Sequence, residues 1–189
     1  MSTTLAEVTH FLDQRSLHYS VRDEATVLTG FGGLASFRDE DDEPHLRVVI
    51  QVQEDGRYIQ IFAPAAYSVP PERAAPFLQA CAMIQWRTKL IQFEYDAKDG
   101  EVRPVVEFPL MDAPLTGAQL MRAINGLVEL VDSYHPVLRR ALDDGVVEFD
   151  TDDGEAEMLS SLLSGYSPET LAEALRLADA RRRGGGAAV

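Results

Sequence analysis

A single cysteine in 189 residues, Cys81, excludes an internal disulfide and fits a reducing compartment. Positive charge is also scarce: 17 Lys and Arg stand against 31 Asp and Glu, a formal net charge of -14 at pH 7. A surface this negative repels phosphates, which argues against nucleic acid and against anionic membranes as partners. No apolar run approaches the ~20 residues needed to cross a bilayer. Met1-Ser2-Thr3-Thr4 carries no basic stretch ahead of an apolar one, so no secretory signal is expected. A cytoplasmic protein is the expectation.

Motifs of chemistry are missing as well. His10, His18, His45 and His135 include no short pair at metal-ligand spacing, and surface or helix-end positions are expected for histidines here. Asp150-Thr151-Asp152-Asp153-Gly154-Glu155 misplaces the glycine of a calcium loop and lacks its closing glutamate. Gly30-Phe31-Gly32-Gly33 follows a strand-like run, but no Gly-Lys-Ser/Thr comes after it. Cys81 lies on an apolar helical face without a neighbouring base, as a packed thiol does, and no serine sits in a Gly-x-Ser-x-Gly elbow. No catalytic residue, metal site or cofactor is therefore expected.

What is present is ordinary globular patterning, with 46% apolar and 25% charged residues. Thr4 and Glu7 have capping-box spacing ahead of a short helix faced by Leu5, Val8, Phe11 and Leu12. Leu17 to Val21 is an exit segment that can pair as a strand, and Ala25 to Phe31 is a better strand candidate. Arg38-Asp39-Glu40-Asp41-Asp42-Glu43 is expected as a solvated loop. Leu46 to Gln53 alternates as a strand, turns at Glu54-Asp55-Gly56, and returns through Arg57 to Ala63. Ile59 and Ile61 join the core there, which leaves Tyr58, Gln60 and Phe62 opposite. Those two aromatics are either covered by another element or form a binding patch.

A second helix opens at Pro70-Pro71, although Pro76 implies a late start near Ala74 or a distortion, and Trp86 marks its end. A hairpin follows, with Ile91, Phe93 and Tyr95 alternating before the Asp99-Gly100 turn. Its return strand holds Pro104, which cannot donate a ladder hydrogen bond and so implies an edge or a bulge. Thr116 and Gln119 cap a longer helix striped by Leu120, Ile124, Leu127, Val128 and Val131; Pro136 is expected to kink or end it near Tyr134. Val146 to Phe149 reads as a short strand, and Ser167-Pro168-Glu169 starts a further helix.

The fold class is α+β: an antiparallel sheet of about five strands with helices packed on one side, in the order α-β-β-β-α-β-β-α, plus a C-terminal helical extension. The expected division is a domain over 1–142, an acidic linker and helical extension over 143–183, and a disordered tail over 184–189.

Residues 5–142 resemble the YbjN-like family, whose fold is similar to that of type III secretion chaperones. The resemblance is carried by Val69-Pro70-Pro71-Glu72, by Lys89-Leu90-Ile91-Gln92-Phe93-Glu94-Tyr95-Asp96 with the Asp99-Gly100 turn, by Leu115-Thr116-Gly117-Ala118-Gln119-Leu120, and by Val131-Asp132-Ser133-Tyr134-His135-Pro136. It implies a module that is commonly dimeric, has no catalytic residues to transfer, and binds other proteins in a chaperone-like or regulatory way. The expected function is accordingly a non-catalytic adaptor, a homodimer that takes a partner protein or peptide segment. Tyr58, Phe62 and Trp86 are its candidate partner-binding residues. The alternative is a small-molecule sensor or enzyme with a pocket between sheet and helices.

Overall fold

The computed structural model of the chain describes residues 2–88, 90–111 and 113–149. The expected loop at 150–155, helix from Ser167 and tail from Gly184 lie outside these residues. The compact unit described is Met1–Glu148.

Capping chemistry places two of its three helices. In α1 (Leu5–Asp13) the Glu7 amide donates to Thr4 Oγ1 at 3.3 Å, and the Glu7 carboxylate accepts from the Thr4 amide at 2.7 Å. In α3 (Gly117–Asp143) Thr116 and Gln119 repeat that exchange at 3.2 and 3.0 Å. α2 (Pro71–Arg87) has no side-chain cap and begins instead on the fixed φ of its prolines.

Seven strands form one antiparallel sheet: β1 (Tyr19–Val21), β2 (Thr26–Gly32), β3 (His45–Gln53), β4 (Tyr58–Phe62), β5 (Tyr67–Ser68), β6 (Gln92–Tyr95) and β7 (Glu101–Pro109). β1 to β4 are sequential neighbours, and β4 then pairs with β7. Val105 pairs with both Phe62 and Gln92, and Val102 with both Tyr67 and Tyr95. β4 and β5 therefore share one edge of β7, and β6 occupies the other.

The register sorts side chains by face. Val27, Val48, Ile50, Ile59, Ile61 and Val106 are fully buried against a layer in which α3 contacts β4, β7 and both other helices. Leu120, Ile124, Leu127 and Leu138 are the fully buried stripe of α3. The row Leu28, Val49, Phe62, Val105 and Gln92 points the other way.

The class and element order hold, with two short strands, β1 and β5, added to the expected five. Proline accounts for three differences. β7 is interior, not an edge: a residue's N–H and C=O face the same side of a strand, and the Pro104 carbonyl accepts from the Ala63 amide at 3.0 Å. The missing donor would have returned to the Ala63 carbonyl, so the lost bond falls one residue past the end of β4 and before β5 begins, where the ladder on that edge of β7 is already interrupted. α3 runs through Pro136, which sits on its exposed face, because burial of Leu138 and Ala141 one turn further on holds the helix together. α2 starts at Pro71 and passes Pro76; the orphaned carbonyl belongs to Glu72, an exposed residue. Residues 145–149 are in no strand.

The β3–β4 turn shows where glycine is required. Glu54, Asp55 and Gly56 all have left-handed φ, 51°, 55° and 83°. The Gly56 carbonyl accepts from the buried Thr3 amide at 2.9 Å, and a Cβ on Gly56 would stand 2.1 Å from the Thr3 carbonyl oxygen. Thr3 Oγ1 in turn accepts from the Leu115 amide at 2.9 Å, so the amino-terminal segment ties the turn to the start of α3. Gly56→Ala is expected to destabilise the protein by more than about 1 kcal/mol, through positive φ and the backbone clash together. Urea midpoints of the two proteins measure it.

Candidate functional site

β4 places Tyr58 and Phe62 on the sheet face turned away from the helices, four residues apart on the strand. A polar lattice clothes this face. Gln53 donates to Gln51 and Gln60 at 3.0 and 3.2 Å, and Gln60 donates to Glu107 at 3.1 Å. Tyr58 remains half-buried, and desolvation with the nearby Glu107 carboxylate raises its phenol above the ordinary value. Phe62 is only 7% exposed. The Arg103 guanidinium lies 4.5 Å above its ring and donates to Glu94 at 2.6 Å, which fixes the cation over the aromatic face.

Trp86 stands elsewhere. It lies near the end of α2, in the helix layer, and is 92% exposed. Exposed Ala75 and Ala82 and half-buried Leu78 share its side of the helix, at spacings of 3, 4 and 4 residues. The opposite side of α2 buries Phe77, Ala80, Cys81 and Ile84. The structure thus brings Tyr58 and Phe62 onto one face and Trp86 onto another. Cys81 is a packed thiol, pushed by burial up to about 12.

A third feature escaped sequence reasoning. Beside the last two turns of α3 lies a cavity of about 500 Å³, bounded by residues 38–40, 65–68, Asp99, Glu101 and the α3 residues His135, Arg139 and Leu142. His135 is only 6% exposed, and its Nδ1 lies 3.2 Å from the Tyr67 hydroxyl. Phe37 packs edge-on against both rings, with centroids at 5.0 Å from His135 and 6.0 Å from Tyr67. Burial first, and Arg139 second, lower the His135 pKa to about 4, so the imidazole is neutral at pH 7.

Asp132 anchors the loop that carries Phe37. Its carboxylate accepts from the amides of Ala35, Ser36 and Phe37 at 3.1, 2.7 and 2.8 Å. Those hydrogen bonds outweigh desolvation and hold the Asp132 pKa below its ordinary value. The position of His135 was legible in principle: it follows Val131 by four and precedes Leu138 by three, on the apolar stripe.

Among the described residues no group of His, Cys, Asp and Glu could hold a metal ion, and no helix is long and apolar enough to cross a membrane.

No family model matches the sequence, and no curated protein matches it. Solved structures do. YbjN from E. coli superposes with a TM-score of 0.50 at 13% identity, over 68% of this chain and 86% of that one. The ExsC–ExsE complex gives 0.46 at 15% identity, over 73% and 97%. The ExoU–SpcU heterodimer from the type III secretion system of Pseudomonas aeruginosa gives 0.43 at 15%, over 71% and 97%. The YbjN match bears out the expected resemblance at the level of fold.

Proposed function

We propose that this chain is a non-catalytic protein-binding module, a chaperone-like or regulatory adaptor that acts as a homodimer in the cytoplasm. The observation that carries this reading is Trp86. An indole held 92% exposed on a 17-residue helix is a costly feature for an isolated surface and a common anchor of an interface. The resemblance to YbjN-like proteins supports the same reading, since it implies binding of other proteins.

The stripe Ala75, Leu78, Ala82 and Trp86 suits a second copy. Antiparallel pairing of two α2 helices about the middle of that stripe sets each Trp86 over Ala75 of the second copy, large against small, in a self-complementary contact. The client is then a protein segment of basic or neutral character, because the chain itself carries -14. On the sheet face Tyr58 is the contact available to it, and Phe62 becomes one when Arg103 swings aside. Residues 1–142 are the module, with 143–183 as its extension.

Light scattering after size exclusion tests the dimer. The expected result is a two-chain mass for the wild type and a one-chain mass for Trp86→Asp, which keeps a single cooperative melt and loses only the concentration-dependent part of the wild-type melting temperature. A monomeric wild type at tens of micromolar overturns the homodimer. Affinity capture from native lysate tests the client: one protein held at fixed ratio by the wild type and lost by Tyr58→Asp supports the adaptor.

A further inference from the structure

The cavity at the end of α3 has a neutral floor and an acidic rim. Tyr67 and His135 form the floor, both more than nine-tenths buried. His135 commits Nδ1 to Tyr67, and Nε2 has no hydrogen-bond partner among the described residues. No sealed side-chain nitrogen or oxygen among those residues lacks a partner. Nε2 is therefore not sealed; it reaches solvent through the cavity that its residue lines. Nδ1 is held against the Tyr67 hydroxyl, so Nε2 is the ring atom left to hydrogen-bond a group that enters the cavity.

On the rim, Asp39, Glu40, Asp99 and Glu101 stand against two arginines. Both guanidiniums are already engaged: Arg38 donates to the carbonyls of Leu34 and Phe37, and Arg139 donates to both oxygens of Asp143 at 2.8 and 2.9 Å. Asp39, Asp99 and Glu101 have no ion-pair partner among the described residues. Asp99 and Glu101 each hold one backbone amide, of Glu101 at 3.0 Å and of Ala65 at 2.8 Å, which fixes the carboxylates and leaves an oxygen of each unused.

We propose that this cavity takes a guanidinium or alkylammonium group, carried on a lysine or arginine side chain of the bound partner. The alkyl stem lies on the Tyr67–His135 floor, and the cation sits between the Asp99 and Glu101 carboxylates. The choice of carrier rests on the protein-binding reading above; the cation chemistry does not.

The test titrates the full chain with N-acetyl-arginine amide, N-acetyl-glutamate amide and agmatine, following the His135 ring ¹H–¹³C resonances. Saturable shifts with the arginine probe, absent with the glutamate probe and weakened about tenfold in Asp99→Asn/Glu101→Gln, are expected. That variant keeps both backbone acceptors, so its melting temperature serves as the control for folding. No response, an equal response to the glutamate probe, or indifference to the two substitutions overturns the site. Tighter binding of agmatine than of arginine within a peptide overturns the carrier. Capture of a partner lost in Tyr58→Asp, alongside a silent titration, overturns this site while leaving the adaptor reading intact.

Discussion

Replacing Phe37 with alanine is expected to lower the free energy of unfolding by about 3–5 kcal/mol, although Phe37 lies in no helix or strand. The side chain is 1% exposed, among the largest fully buried side chains of the described residues. It contacts Tyr67 and His135 edge-on, and Tyr67 continues to Phe77 at 5.2 Å, so the deletion opens a cavity inside an aromatic cluster that cannot collapse around it. Asp132 supplies the second half of the argument. Its carboxylate holds the amides of Ala35 through Phe37 and thereby delivers the ring to the cluster. Asp132→Ala leaves three amides without that acceptor and should be destabilising by itself. Since the two residues act on one loop, the double variant should lose less than the sum of the single losses. Urea denaturation of all four proteins checks both points. A loss under about 1 kcal/mol for Phe37→Ala shows the loop to be loosely held. Strict additivity separates the ring from the carboxylate.

That loop also marks where sequence reasoning stopped. Periodicity exposes what repeats along one element, so the stripe of α3, the alternation of β3 and both capping boxes were legible from local spacing. The Asp132 contacts join positions 95 to 97 residues apart, and nothing local in Ala35-Ser36-Phe37 advertises them. The prolines misled for the same reason. A rule about a missing N–H says that a bond is absent, while only tertiary pairing says where in the sheet it falls, and at Pro104 it falls just past the last residue of β4. The candidate site divides likewise. That Tyr58 and Phe62 share a face follows from period two, but the Arg103 cover on Phe62 needs the pairing of β6 with β7 that brings Glu94 beside Arg103. Trp86 is harder: an aromatic at a helix end reads the same whether it is packed or exposed, and its 92% exposure appears only once the neighbouring elements are in place.

Lowering the pH from 7 toward 4.5 is expected to weaken the fold through His135. Burial holds its folded pKa at about 4, against about 6.5 in an unfolded chain. Between those values the unfolded chain takes up a proton that the folded protein refuses. The stabilisation is thus complete above pH 6.5 and is lost as pH falls toward 4, with a slope of up to about 1.4 kcal/mol per unit. Because Nε2 meets solvent in the cavity, screening reduces the total to about 2 kcal/mol. Asp132 loses its contribution lower still, as pH falls through a pKa held below the usual carboxylate range, so the window from 6.5 to 5 isolates the imidazole. Urea midpoints across that window should fall for the wild type and stay nearly flat for His135→Gln, which keeps a partner for Tyr67 without a titrating ring. Equal slopes in the two proteins would place the pH dependence elsewhere. A flat wild type would mean that His135 accepts its proton within the folded state, with the cluster opening to water around it.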